Sequence, residues 1–135
     1  MGKQVDMAWN DYLRGRRLET GDGCPVDLAF AAYFYRRAAF RGMAEAQHAL
    51  AFLYATGQGV GRDEALAVRW FEAAAAQGHV SAQHNLGVMF AEGRGVRADE
   101  QAAVRWFYHA ALGGSAEARR WLERRDADPA VAESS

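Results

Sequence analysis

Val68-Arg69-Trp70-Phe71 returns as Val104-Arg105-Trp106-Phe107, 36 residues further along the chain. The same shift carries Ala46-Gln47-His48 onto Ala82-Gln83-His84, and Gly57-Gln58-Gly59-Val60 onto Gly93-Arg94-Gly95-Val96. Blocks that recur in one register mark a tandem repeat. Such a unit stacks, and its apolar face is covered by the next copy. Function is therefore expected on a surface that several repeats share.

Residues 43–78 serve as the reference repeat. Between Met43 and Ala55, the apolar residues Ala46, Leu50, Leu53 and Tyr54 recur at helical spacing and form one stripe. Gly57 and Gly59 stop that helix, because glycine enters the left-handed turn at low steric cost. Asp63 is placed to cap a second helix, with Glu64 on the favourable end of its dipole. Ala67, Trp70, Phe71 and Ala74 then share one helix face, and Gly78 closes the unit. The sequence predicts an all-α chain of helix pairs.

Residues 79–114 copy each device: Leu86, Met89 and Phe90, the loop glycines Gly93 and Gly95, the cap Asp99, the face Ala103, Trp106, Phe107 and Ala110, and the closing Gly114. Shifting back exposes a worn copy over 7–42, with Gly21 and Gly23 in the loop, Asp27 as cap, Ala31, Phe34, Tyr35 and Ala38 on the second helix, and Gly42 at its end. Arg14 falls where Leu50 and Leu86 sit, as suits a terminal repeat with one neighbour. After Gly114, residues 115–125 read as one more first helix, with Ala118 on the Ala46 and Ala82 position, covering the last open face. Residues 1–125 then form a single repeat domain, and the polar stretch 126–135, which contains Pro129, is expected to be a flexible tail. The expected core is Leu50, Tyr54, Ala67, Trp70, Phe71, Ala74, Leu86, Phe90, Ala103, Trp106, Phe107 and Ala110. With Trp70 in that core, Trp70→Ala is expected to cost about 3–5 kcal/mol.

With a net charge of −1, no global field draws the chain to nucleic acid or to an anionic membrane. The longest apolar run, Leu28 to Tyr35, is too short to span a bilayer, and residues 1–6 lead into no signal-peptide core. Gly2 is no myristoylation site, since Asp6 stands where that motif needs Ser or Thr. Cys24, the one cysteine, forms no internal disulfide. The expected compartment is the cytoplasm, for a chain that is not an excised mature domain.

These motifs resemble the Sel1-like repeat. The resemblance rests on Ala82, Leu86 and Gly87, then Gly93, Gly95 and Val96, then Asp99, then Ala103, Trp106, Phe107, Ala110, Ala111 and Gly114. It covers 43–118 strongly and 7–42 in part; repeat two carries Ala51 in place of Gly87. The family is similar to the tetratricopeptide repeats but has a longer loop between its helices. The resemblance implies an α/α solenoid, a right-handed superhelix of about three repeats plus a capping helix. It also implies a non-enzymatic adaptor or scaffold, often in bacterial signalling or envelope processes.

His48 and His84 are repeat-equivalent and would sit on adjacent first helices, but zinc needs a third ligand, and only Glu45 and Asn85 lie near. His79 and His109 fall elsewhere in the repeat. Cys24 lands on Val60 and Val96, which predicts a small buried hydrophobe plugging the loop. The glycine loops follow a helix and not a strand, so they are turns and not phosphate cradles. Ser81, Ser115, Ser134 and Ser135 stand in no nucleophile elbow. Arg119, Arg120, Arg124 and Arg125 make the last helix basic, yet Trp121 is its only aromatic, too little for a nucleic-acid face. No catalytic residue, metal or cofactor is expected.

The tetratricopeptide-like resemblance places first helices on the concave side. Off their buried stripes lie Glu45, His48, Ala49 and Phe52 in repeat two, and Ser81, His84, Asn85 and Val88 in repeat three. The shift adds Trp9, Tyr12 and Arg16 at one end and Glu117, Arg120 and Arg124 at the other. Phe52 is the expected anchor, with His48, His84 and Asn85 hydrogen-bonding a partner backbone. The partner is expected to be another protein or a peptide segment. Alternatives are a dedicated inhibitor or immunity-type protein that blocks an enzyme and, remotely, a metal-dependent hydrolase using His48 and His84.

Overall fold

A computed structural model describes residues 2–130, with side chains from residue 7 onward. Among these residues there are seven helices and no strand: α1 (Gly2–Thr20), α2 (Leu28–Phe40), α3 (Ala44–Thr56), α4 (Glu64–Ala76), α5 (Val80–Glu92), α6 (Glu100–Leu112) and α7 (Ala116–Asp126). Helix α7 takes in Asp126, and the expected tail lies outside the described residues from position 131 on. Among the described residues no helix is long and apolar enough to cross a membrane.

The helix boundaries follow from their capping chemistry. The side chains of Asp27, Asp63 and Asp99 accept hydrogen bonds from Phe30, Leu66 and Ala102 N–H at 3.0, 3.0 and 3.1 Å, satisfying an otherwise orphaned donor at the start of each second helix. Each helix packs against its predecessor and successor in the chain. The seam within a repeat is set by size. A β-carbon on Gly15 would come within 2.7 Å of the Tyr35 ring, and one on Gly87 within 3.0 Å of Phe107. Only a small residue there lets the second-helix aromatic lie against the first helix, and the equivalent Ala51 is fully buried.

The seam between repeats is held by the loops. Gly95 lies so close to the start of the preceding second helix that a β-carbon would run into the Glu64 carbonyl, and Gly59 stands in the same relation to Leu28. Arg94, beside Gly95, reinforces the clasp with a 2.6 Å ion pair to Glu64, whose carboxyl that hydrogen bond holds below its usual range. Buried Gln47 and Gln83 donate to the carbonyls of Ala39 and Ala75, both at 3.2 Å, satisfying the end of the preceding second helix.

Leu50, Leu86, Ala67, Ala74, Ala103, Ala110, Phe71 and Phe107 are fully or almost fully buried, and Tyr54 is 8% exposed. A large cluster runs through α1–α5 and a smaller one joins α6 to α7, with Phe90 packed against both. Three residues expected in the core, Trp70, Trp106 and Phe90, are half-buried. The Trp70 ring meets Phe40 of the previous second helix edge-on at 5.2 Å, on the outer seam where solvent reaches its other side. The loss for Trp70→Ala therefore falls below the range for a core ring, to about 2 kcal/mol. Cys24 is also half-buried and not a sealed plug; its thiol donates to the Arg17 carbonyl at 3.4 Å. Among the described residues no preceding repeat lies against its loop.

Candidate binding groove

The groove is built from first helices, and its floor repeats. Tyr12, His48 and His84 stand on the second-helix aromatics Tyr35, Phe71 and Phe107, with ring centroids 5.8, 5.7 and 5.6 Å apart. One cavity, of about 650 Å³, is lined by His48, Phe52, Ser81, His84, Asn85, Glu117 and Arg120 together with the turn Gly113–Ala116. A second, of about 380 Å³, is lined by Tyr12, Arg16, Glu19, Tyr35, Glu45, Ala49 and His79, and shares His48 and Phe52 with the first. The two adjoin at His48 and Phe52, and together their linings draw on α1, α3, α5 and α7.

Three predicted residues stand outside those two cavities. Trp9 is half exposed, its ring 5.8 Å from Tyr12. Val88 lines a small side cavity of about 100 Å³ with Phe52 and Asn85. Arg124 is exposed on α7 and lines neither groove cavity.

The polar groups lining these cavities are held by specific neighbours. Burial and then neighbouring His79 hold the His48 imidazole down at about 4, so the ring is neutral at neutral pH. The Asn85 amide nitrogen, which can only donate, lies 3.1 Å from His48 Nε2, so that nitrogen accepts and the proton sits on Nδ1. His84 Nε2 lies 3.5 Å from Glu117 Oε2, a pair across α5 and α7. At the other end the Tyr35 hydroxyl donates to Glu19 at 2.6 Å; burial, then that bond, push its ionisation far above the usual range.

The structure corrects the placement of His79. Expected apart from His48, it caps α5 by accepting from Ala82 N–H at 3.1 Å through Nδ1, and its ring stacks on His48 at 4.6 Å. Burial lowers its proton affinity, against the pull of Glu45. The two imidazoles thus meet face to face, and His84 turns to Glu117, so His48 and His84 do not converge on one point. Among the described residues no three His, Cys, Asp or Glu side chains gather as a metal-holding group. Trp121, at the position equivalent to Asn85, lines neither cavity and stacks on Phe107 at 4.3 Å.

Residues 12–42, 44–79 and 80–115 match the family model described as Sel1 repeat. No curated protein matches the chain. Among solved structures, c5321, a protective antigen present in uropathogenic Escherichia coli strains and displaying an SLR fold, is 37% identical with a TM-score of 0.84, over 85% of this chain and 25% of that one. A Sel1 repeat protein from Oxalobacter formigenes is 31% identical with a TM-score of 0.80, over 82% of this chain and 46% of that one. Helicobacter pylori cysteine rich protein B shares the fold at 18% identity and a TM-score of 0.64, over 85% of this chain and 93% of that one. The chain thus spans a quarter and just under half of the first two. With three matched repeats covering most of its length, it belongs to the Sel1 repeat family.

Proposed function

We propose that this chain is a non-enzymatic interaction module whose groove across α1, α3, α5 and α7 takes a segment of a partner protein. Sel1-repeat proteins are generally protein-interaction modules, which supports the coarse reading. The observation that carries the finer one is the row Tyr12, His48 and His84, each standing on a buried aromatic and each opening into one groove. Phe52 supplies the anchor: it is 44% exposed and lines both halves of the groove. Glu45, Ser81, Asn85, Glu117 and Arg120 add polar groups that fix register. The same proposal puts the chain in the cytoplasm, in keeping with its single, unpaired Cys24.

A partner recovered by cross-linking is titrated against the wild type and against His48→Ala/Phe52→Ala/Asn85→Ala, with circular dichroism checking the fold. Loss of an anchor of about 2 kcal/mol weakens binding roughly thirtyfold. Unchanged affinity in a folded triple variant removes the groove from the proposal.

A further inference from the structure

Successive turns between repeats carry different side chains in equivalent places. The turn before α5 carries Gln77 and His79; the turn before α7 carries Gly113 and Ser115. In the earlier turn both side chains are engaged by the preceding repeat. Gln77 donates to Gln47 and to the Gly42 carbonyl, both at 2.9 Å, while the His79 ring lies on His48. In the later turn Gly113 has no side chain, and Val80 fills the place one would take, so the room over His84 comes from the short side chain of Ser115. The space over His84 that corresponds to the His79 ring forms part of the 650 Å³ cavity.

The support beneath is the same in both places. His48 rests on Phe71 and His84 on Phe107, at nearly equal ring separations. The cap is conserved in function as well: Ser115 Oγ accepts from Ala118 N–H at 3.1 Å, the bond that His79 Nδ1 makes at the same distance with Ala82. The platform of the second repeat is therefore covered by a ring from the turn that follows it, and the platform of the third repeat is left uncovered by its own following turn. We infer that the slot over His84 is an aromatic-binding site that takes one planar side chain of the partner segment, stacked on His84 as His79 is stacked on His48. Glu117, at the rim beside His84, favours a ring that carries a hydrogen-bond donor, such as indole or phenol. An aliphatic side chain would fill volume there without the ring-on-ring geometry or the donor.

This inference rests on the groove reading but is tested separately. The probes are N-acetyl-tryptophanamide, N-acetyl-tyrosinamide and N-acetyl-leucinamide, titrated into the full chain and followed by two-dimensional amide and imidazole NMR. The two aromatic probes are expected to shift His84, Ser115 and Trp121, and to bind about tenfold tighter than the leucine probe. Ser115→His copies the earlier turn, retains a cap, and is expected to weaken the aromatic probes about tenfold by placing a ring of its own on His84. The reverse exchange, His79→Ser, opens a second platform, and the aromatic probes then also shift His48. It decides the matter should Ser115→His not fold. Equal binding of the leucine probe, or aromatic binding that Ser115→His leaves unchanged, overturns the site, as does His79→Ser without a new response at His48. Full partner affinity in Ser115→His, alongside loss in the triple groove variant, rejects the slot while the groove stands. Aromatic-probe binding that persists while the triple variant keeps its partner rejects the groove reading instead.

Discussion

The second repeat lies between two neighbours, whereas the first packs against one, and equivalent positions in the two have diverged accordingly. Leu50 is fully buried against both sides; its counterpart Arg14 is exposed, its guanidinium 5.6 Å over the Phe34 ring. Buried Gln47 reaches back to the preceding Ala39 carbonyl, while its counterpart Asp11, with no preceding helix among the described residues, pairs with Arg41 at 2.8 Å and Arg37 at 3.3 Å. The fold tolerates this because the within-repeat seam, Gly15 against Tyr35, is retained even where the between-repeat seam is lost. Solenoid stability thus divides into two kinds of contact that can be perturbed one at a time.

The largest expected effect separates the neighboured repeat from the terminal one. Leu50→Ala should cost about 2–5 kcal/mol in urea unfolding, and Arg14→Ala less than about 1. Equal losses would mean that the end repeat is packed like the middle. A smaller effect isolates the loop clasp. Gly95 and Gly23 both adopt positive φ, but of the two Gly95 alone abuts the preceding helix; Gly23 has the end of the long Arg17 side chain nearest. Gly95→Ala is expected to destabilise by about 2–3 kcal/mol and Gly23→Ala by about 1, the strain term alone.

The smallest effect concerns pH. Because His48 is held near 4 in the folded chain against 6.5 ordinarily, the unfolded chain binds the extra proton between those values. The stabilisation is complete above about pH 6.5 and is lost as pH falls toward about 4. Allowing for solvent at the half-open ring, the loss is on the order of 1–2 kcal/mol. Unfolding midpoints measured across that window should fall in the wild type, and His48→Gln should remove much of the slope; a slope that persists in full would assign it to other groups.

The periodicity of Ala46, Leu50 and Leu53, the glycine pairs and the Asp caps are local signals, which is why helices, loops and the repeat register were legible from the residues. Most of the groove row was legible too, since the 36-residue shift maps one first helix onto the next. Two failures have one cause. Trp70 matches Phe71 in apolar character, yet lies on the outer seam, because two adjacent helix positions differ by about 100° in direction and only the neighbouring helix decides which is sealed. His79 stands outside the helical pattern as a cap, and its meeting with His48 spans repeats.

The chain's own letters determined that it would be helical, where the glycine loops and aspartate caps divide the helices, and which positions are equivalent, because capping and amphipathic spacing act within a few residues. Tertiary structure alone decided that His79 lies on His48 while the matching place over His84 is open. That outcome depends on side chains from three helices meeting at one point, and no local pattern records which of them arrives there.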